Sequence, residues 1–119
     1  MWDAASGPNK MYEVYLSPAT IRRLEEAHSY IAENLKSPQA ADATIAAVLK
    51  ALEVLENNPD AGPRLSSRID ELPECFSETR FFVCGRYVAV YEHRDKRVEI
   101  LRLYHGSEDV FGRLLREID

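Results

Sequence analysis

The sequence predicts an α+β domain: an antiparallel sheet packed against an N-terminal helical hairpin, with a short C-terminal helix. Three observations predict it. Apolar residues recur at three- and four-residue steps through two adjoining segments that share the same cap chemistry. Three short segments rich in β-branched and aromatic residues follow at close spacing. A stretch with three prolines and a glycine, residues 59–74, separates the two patterns. The element order is β-α-α-β-β-β-α.

Met11 stands where a strand begins, so residues 1–10 are set aside as an N-terminal extension or a remnant of expression, leaving 11–119 as a single domain. MYEVYL (11–16) suits a short strand. Ser17-Pro18 then reads as an N-cap followed by proline at the first helical position. Ile21, Leu24, His28, Ile31 and Leu35 make 18–35 an amphipathic helix. Ser37-Pro38 repeats the cap at once. Ile45, Val48, Leu49, Leu52 and Leu55 form a second stripe that ends at Asn57-Asn58-Pro59. Helices joined so tightly must run antiparallel. Strands are expected at 77–84, 86–92 and 98–104, joined by Gly85 and by the polar turn HRDKR into an antiparallel meander. The pattern alone leaves open where the first strand joins the sheet. Gly106-Ser107 ends the last strand, and Val110, Phe111, Leu114, Leu115 and Ile118 give the closing helix its apolar face.

The chain has 119 residues and is 45% hydrophobic, enough for one modest core. It has no run of the ~20 apolar residues that a membrane span requires, and no apolar leader, so a cytoplasmic location is expected. Its two cysteines, Cys75 and Cys84, are expected to be reduced thiols. The three histidines are scattered, so neither a metal nor a cofactor is expected. The net charge of -5 argues against a general nucleic-acid binder. Residues 79–106 nonetheless hold six cations against three acids, which allows a local basic surface.

Three segments carry a family resemblance: YEVYLSPATIRRLEEAHSYI, NNPDAGPRL and RFFVCGRYVAVYEHRDKRVEILRLYHGSEDVF. In order and spacing they resemble the RelE/ParE superfamily of bacterial toxins, with the ending Ile-x-Arg-x-x-His-Gly as the strongest piece. The resemblance implies the toxin half of a type II toxin–antitoxin module. Such a toxin arrests growth and forms a hetero-oligomer with a cognate antitoxin protein, which would cover an apolar groove on the hairpin or the sheet. RelE-like members cut mRNA on the ribosome without a metal. ParE-like members inhibit DNA gyrase and are not nucleases. A degenerate toxin kept only to bind its antitoxin is a third reading.

Metal-free RNA cleavage needs a base, a cation for the phosphate and a proton donor. His105 is the candidate acid or base, and Arg80 and Arg102 are the candidate phosphate clamps. Arg86, Tyr104 and Phe111 are candidate substrate contacts, Phe111 by stacking on a base. Each of these except Tyr104 has a structural alternative. His105 could orient a turn. Arg102 could pair with Glu92, Glu99 or Asp109, and Arg80 and Arg86 could be surface residues. Phe111 could pack in a core, as Tyr87 and Tyr91 are expected to do within the sheet. Simple alternation puts Ile100, Arg102 and Tyr104 on one face and Leu101, Leu103 and His105 on the other. Arg102 and His105 then converge only if the chain turns at His105, which Gly106 permits. The segment 70–78, DELPECFSE, holds four acids and no lysine, which disfavours a ribosomal polyanion as target.

Overall fold

A computed structural model describes residues 11–117. The N-terminal extension 1–10 and Ile118 lie outside the described residues. The elements are β1 (Glu13–Leu16), α1 (Pro18–Asn34), α2 (Pro38–Leu52), β2 (Arg80–Cys84), β3 (Tyr87–Arg94), β4 (Arg97–His105) and α3 (Val110–Glu117). Single 3₁₀ turns at Glu53–Glu56, Leu65–Ser67 and Glu74–Phe76 complete the described secondary structure.

Both serine caps form as the sequence predicts. The Ser17 hydroxyl accepts the Thr20 N–H at 3.1 Å, and Ser37 accepts the Ala40 N–H at 3.2 Å. Each cap stabilises its helix start by about 1 kcal/mol. Ser17 also acts at long range: its hydroxyl donates to the Leu101 carbonyl at 2.8 Å, and Thr20 donates to the Ile100 carbonyl at 3.0 Å. The start of α1 is thereby fastened to β4. Lys36, at φ 51°, makes the reversal into α2. The second helix was expected to reach Leu55. It tightens to 3₁₀ at Glu53, and Leu55 still ends fully buried.

The four strands lie in the order β1-β4-β3-β2. β2, β3 and β4 form the expected antiparallel meander. β1 pairs with β4 in parallel, from Glu13 opposite Arg97 to Leu16 opposite Ile100, so the sheet is mixed. A parallel neighbour requires a long connection, and two helices and two strands supply it. The turn at Asp95-Lys96 has both residues at positive φ, 54° and 61°, the geometry of a two-residue type I′ hairpin.

One irregularity decides where side chains point. Ile100 is opposite Tyr91, but Arg102 is opposite Val90, which leaves Leu101 as an extra residue in β4. This bulge shifts the alternation by one. Val98 and Ile100 therefore share a face with Leu103, not with Arg102 and Tyr104. The expected face grouping holds only from Arg102 onward.

Both faces of the sheet are covered. On one, Val98, Ile100, Leu103, Ala89 and Tyr91 pack against Leu24, Val48, Leu52 and Leu55 of the hairpin and the turn after it. On the other, Phe81, Val90 and Tyr104 pack against Leu65 and Phe76 of the connection and Val110 and Leu114 of α3. The irregular connection is thus a second core layer. Gly62 is what lets it come this close: a Cβ there would lie 2.0 Å from the Phe81 carbonyl oxygen. The Gly62 N–H donates to the Tyr91 hydroxyl at 3.0 Å, and that hydroxyl donates to the Pro59 carbonyl at 2.6 Å. Among the described residues no helix is long and apolar enough to cross a membrane.

Candidate functional site

The end of β4 sends its side chains in two directions. Arg102 and Tyr104 point to the α3 side. Leu103 and His105 point to the hairpin side.

On the α3 side, Tyr104 is 2% exposed, and its hydroxyl donates to the Glu117 carboxylate at 2.7 Å. Burial first, and the adjoining Glu117 second, push this phenol well above its ordinary pKa. The same hydrogen bond, with help from Arg113 and Arg102, outweighs burial and holds the Glu117 carboxyl below the usual range. Arg102 lies 3.7 Å from Glu117 through Nε, and its Nη1 donates to the Leu101 carbonyl at 3.1 Å. Arg102 thus makes an internal ion pair, the alternative to its role as a phosphate clamp, but with a partner from the end of α3 and not Glu92, Glu99 or Asp109. Asp109 instead caps that helix, accepting the Gly112 N–H at 3.2 Å.

Glu108 is the hub of this region. It accepts the His105 N–H at 2.6 Å and pairs with Arg23 of α1 and Arg113 of α3. Burial works to raise its pKa, but the His105 N–H and the two guanidiniums prevail and hold the carboxyl below the usual range. Glu108 so joins α1, the end of β4 and α3. The sequence singled out none of Arg23, Glu108, Arg113 or Glu117. They are scattered along the chain, and only the fold brings them together.

On the hairpin side, the His105 ring stands edge-on to Tyr87, with centroids 5.2 Å apart. Its Nδ1 accepts the Ser107 N–H at 3.1 Å and lies 2.7 Å from the Ser107 hydroxyl. Nδ1 acting as acceptor places the proton of the neutral ring on Nε2. His105 thus orients the turn into α3. Gly106 closes that turn by donating to the Arg86 carbonyl at 2.7 Å. The Arg86 side chain is exposed at the rim of an apolar groove of 580 Å³, whose walls include Tyr30, Leu35, Val48 and Tyr87. Tyr30 and Leu35 are 67% and 66% exposed, unusual for residues of that size. Cys84 borders the groove, but burial pushes its thiol up to about 12, which makes it a poor nucleophile.

Arg80 lies elsewhere. It pairs across the sheet with Tyr91, whereas His105 pairs with Tyr87. Four residues of β3 separate them, about 13 Å along the strand. Arg80 is largely buried, 3.2 Å from the Asp60 carboxylate, and donates to the Gly62 carbonyl at 2.7 Å. Asp60 also receives His93 at 2.7 Å, and this bond and Arg80 hold its carboxyl below the usual range. Arg80 fastens the connection to the sheet. Phe111 packs edge-on against Phe81, centroids 5.2 Å apart, inside the second core. The structure brings Arg102, Tyr104 and Phe111 to one face, and His105 and Arg86 to the other. It gathers none of the three catalytic candidates with another. Among the described residues, no group of three or more His, Cys, Asp or Glu side chains could hold a metal ion.

The model of the family described as the ParE toxin of the type II toxin–antitoxin system parDE matches residues 14–110. The chain belongs to that family. It is a type II toxin, and an antitoxin is its partner. The match runs from the second residue of β1 to the first of α3. A solved structure described as the chromosomal ParDE toxin–antitoxin system from P. aeruginosa has the same fold, with a TM-score of 0.64. The superposition covers 80% of the toxin and 96% of that chain, at 13% identity. No curated protein matches the toxin.

Proposed function

We propose that the toxin arrests growth without catalysis, by binding DNA gyrase in the cytoplasm, and that its antitoxin silences it by covering the apolar groove beside Tyr30 and Leu35. The observation that carries this reading is the dispersal of the catalytic candidates. Metal-free cleavage of RNA asks a base, a cation and an acid to meet at one phosphate, within about 3 Å of the atoms that react. His105 and Arg102 leave β4 on opposite faces, and Arg80 is held by Asp60 and Gly62 farther along the sheet. The charge balance supports the same reading. A net charge of -5, and a connection with four acids and no lysine over 70–78, oppose docking on ribosomal RNA.

Purified toxin tests it in a supercoiling assay with DNA gyrase and relaxed plasmid. The expected result is loss of supercoiling in proportion to toxin, with mRNA on stalled ribosomes left intact. Supercoiling that proceeds normally in excess toxin would sink the proposal.

A further inference from the structure

At the edge of β4 beyond the last β1 pair, Leu16 with Ile100, residues of α1, β4 and α3 border an open polar cavity of 390 Å³. Arg22, Arg23, Arg102 and Arg113 all line it, with Glu26 and Glu117. Glu108, between Arg23 and Arg113, is the third carboxylate of the cluster. Four guanidiniums against three carboxylates leave a positive surplus, on a chain whose net charge is -5. The surplus has an address. Arg22 is exposed and makes no hydrogen bond or ion pair among the described residues. Arg102 reaches Glu117 only at 3.7 Å and otherwise holds a neutral carbonyl, so its Nη2 has no hydrogen bond among them.

We infer that this cavity is a binding site for the carboxylates of an acidic segment of a protein partner. The cavity's own wiring identifies the ligand chemistry. Glu108 is shared by Arg23 and Arg113, and Glu117 is shared by Arg113 and Arg102. An incoming carboxylate repeats that pattern on the two arginines with donors to spare, Arg22 and Arg102. The planar fork of a guanidinium suits a carboxylate, and a half-enclosed setting strengthens the pair. The surroundings favour a short acidic segment over a nucleic acid. Polyanion affinity grows with the number of phosphates neutralised. The chain's net charge of -5 opposes an extended phosphate backbone.

The cavity is also continuous with an apolar neighbour. Arg23 and Glu26 line both it and a 410 Å³ groove that includes Tyr30, Tyr87 and His105. A partner segment with apolar side chains followed by acidic ones fits the two together. This inference does not depend on which target the toxin has.

Fluorescence anisotropy of a labelled hexaglutamate peptide tests it on the whole purified toxin, beside inorganic phosphate and a single-stranded oligonucleotide as competitors. The peptide should bind, more weakly as salt rises. Arg22→Gln and Arg102→Gln should each weaken binding about tenfold. Glu117→Gln, which frees Arg102 and Arg113, should tighten it. Arg22 supports nothing else, so its variant folds as the parent does. Three results overturn the inference: no peptide binding at low salt, unchanged affinity in the Arg22→Gln/Arg102→Gln double variant, or no tightening in Glu117→Gln. Displacement of the peptide by phosphate or oligonucleotide at lower concentration assigns the cavity to phosphate and overturns it equally. Peptide affinity and supercoiling are separate readouts, so either can fail alone.

Discussion

The two faces of β4 at its C-terminal end differ in chemistry and in what holds them. On the α3 face, Tyr104 is buried and bonded, and Glu108 and Glu117 bind arginines from two helices. On the hairpin face, His105 bonds only to its own turn and borders a groove with large exposed apolar residues. The first face ties α1, β4 and α3 together through charged side chains, and the second borders an apolar groove. Residues adjacent in sequence thus serve unrelated ends, because a strand sends successive side chains to opposite sides. A motif such as Arg-x-x-His-Gly identifies a family without making its arginine and histidine neighbours in space.

Substitutions on the two faces should separate these roles. The largest effect belongs to Tyr104→Ala, which opens a cavity in the second core and strands Glu117. It should cost about 4 kcal/mol in chemical denaturation. A loss near 1 kcal/mol would mean that α3 contributes little to the fold.

Glu108→Gln comes next. It should cost about 2 kcal/mol at neutral pH, because two guanidiniums and a backbone N–H lose their charged acceptor. Glu108 and Glu117 both have folded-state pKa values below the ordinary one. Their contribution is complete above about pH 4.3, the unfolded value, and is lost as pH falls through the lower folded values. Glu108→Gln should therefore flatten the acid limb of a melting-temperature profile, and a parallel profile would contradict the network.

His105→Ala should change stability by less than about 1 kcal/mol. It should leave growth arrest intact on induction without antitoxin, and abolished arrest in a folded variant would return His105 to chemistry. Tyr30→Ala should change stability least, within about 0.5 kcal/mol, because the side chain is 67% exposed. It should still weaken antitoxin binding at least tenfold by calorimetry if the antitoxin covers the groove beside Tyr30.

The two helices, their caps and the meander were legible in the sequence because each is set by local signals. Ser-Pro caps, apolar periods and short polar turns act within a few residues. The parallel seat of β1 was not legible, since it depends on how two helices fold back. Nor was the bulge at Leu101, whose carbonyl takes the Ser17 hydroxyl from 84 residues away. The candidate site divides the same way. His105 as an orienter of the Gly-Ser turn could be read locally. The ties of Arg102 and Tyr104 to Glu117, of Glu108 to Arg23, and of Arg80 to Asp60 join separate elements, and no spacing rule announces them. The connection 59–74 read as irregular because its prolines and glycine hide Leu65, which becomes wholly buried in the second core.

On the proposed function, growth arrest needs no catalytic centre at the end of β4. The most direct test induces wild type and His105→Ala in the same host without antitoxin, and reads mRNA 5′ ends and plasmid supercoiling from each culture. Both proteins should stop growth and relax the plasmid equally, with no new mRNA ends. New mRNA ends under wild type that vanish together with growth arrest in His105→Ala would contradict the proposed function.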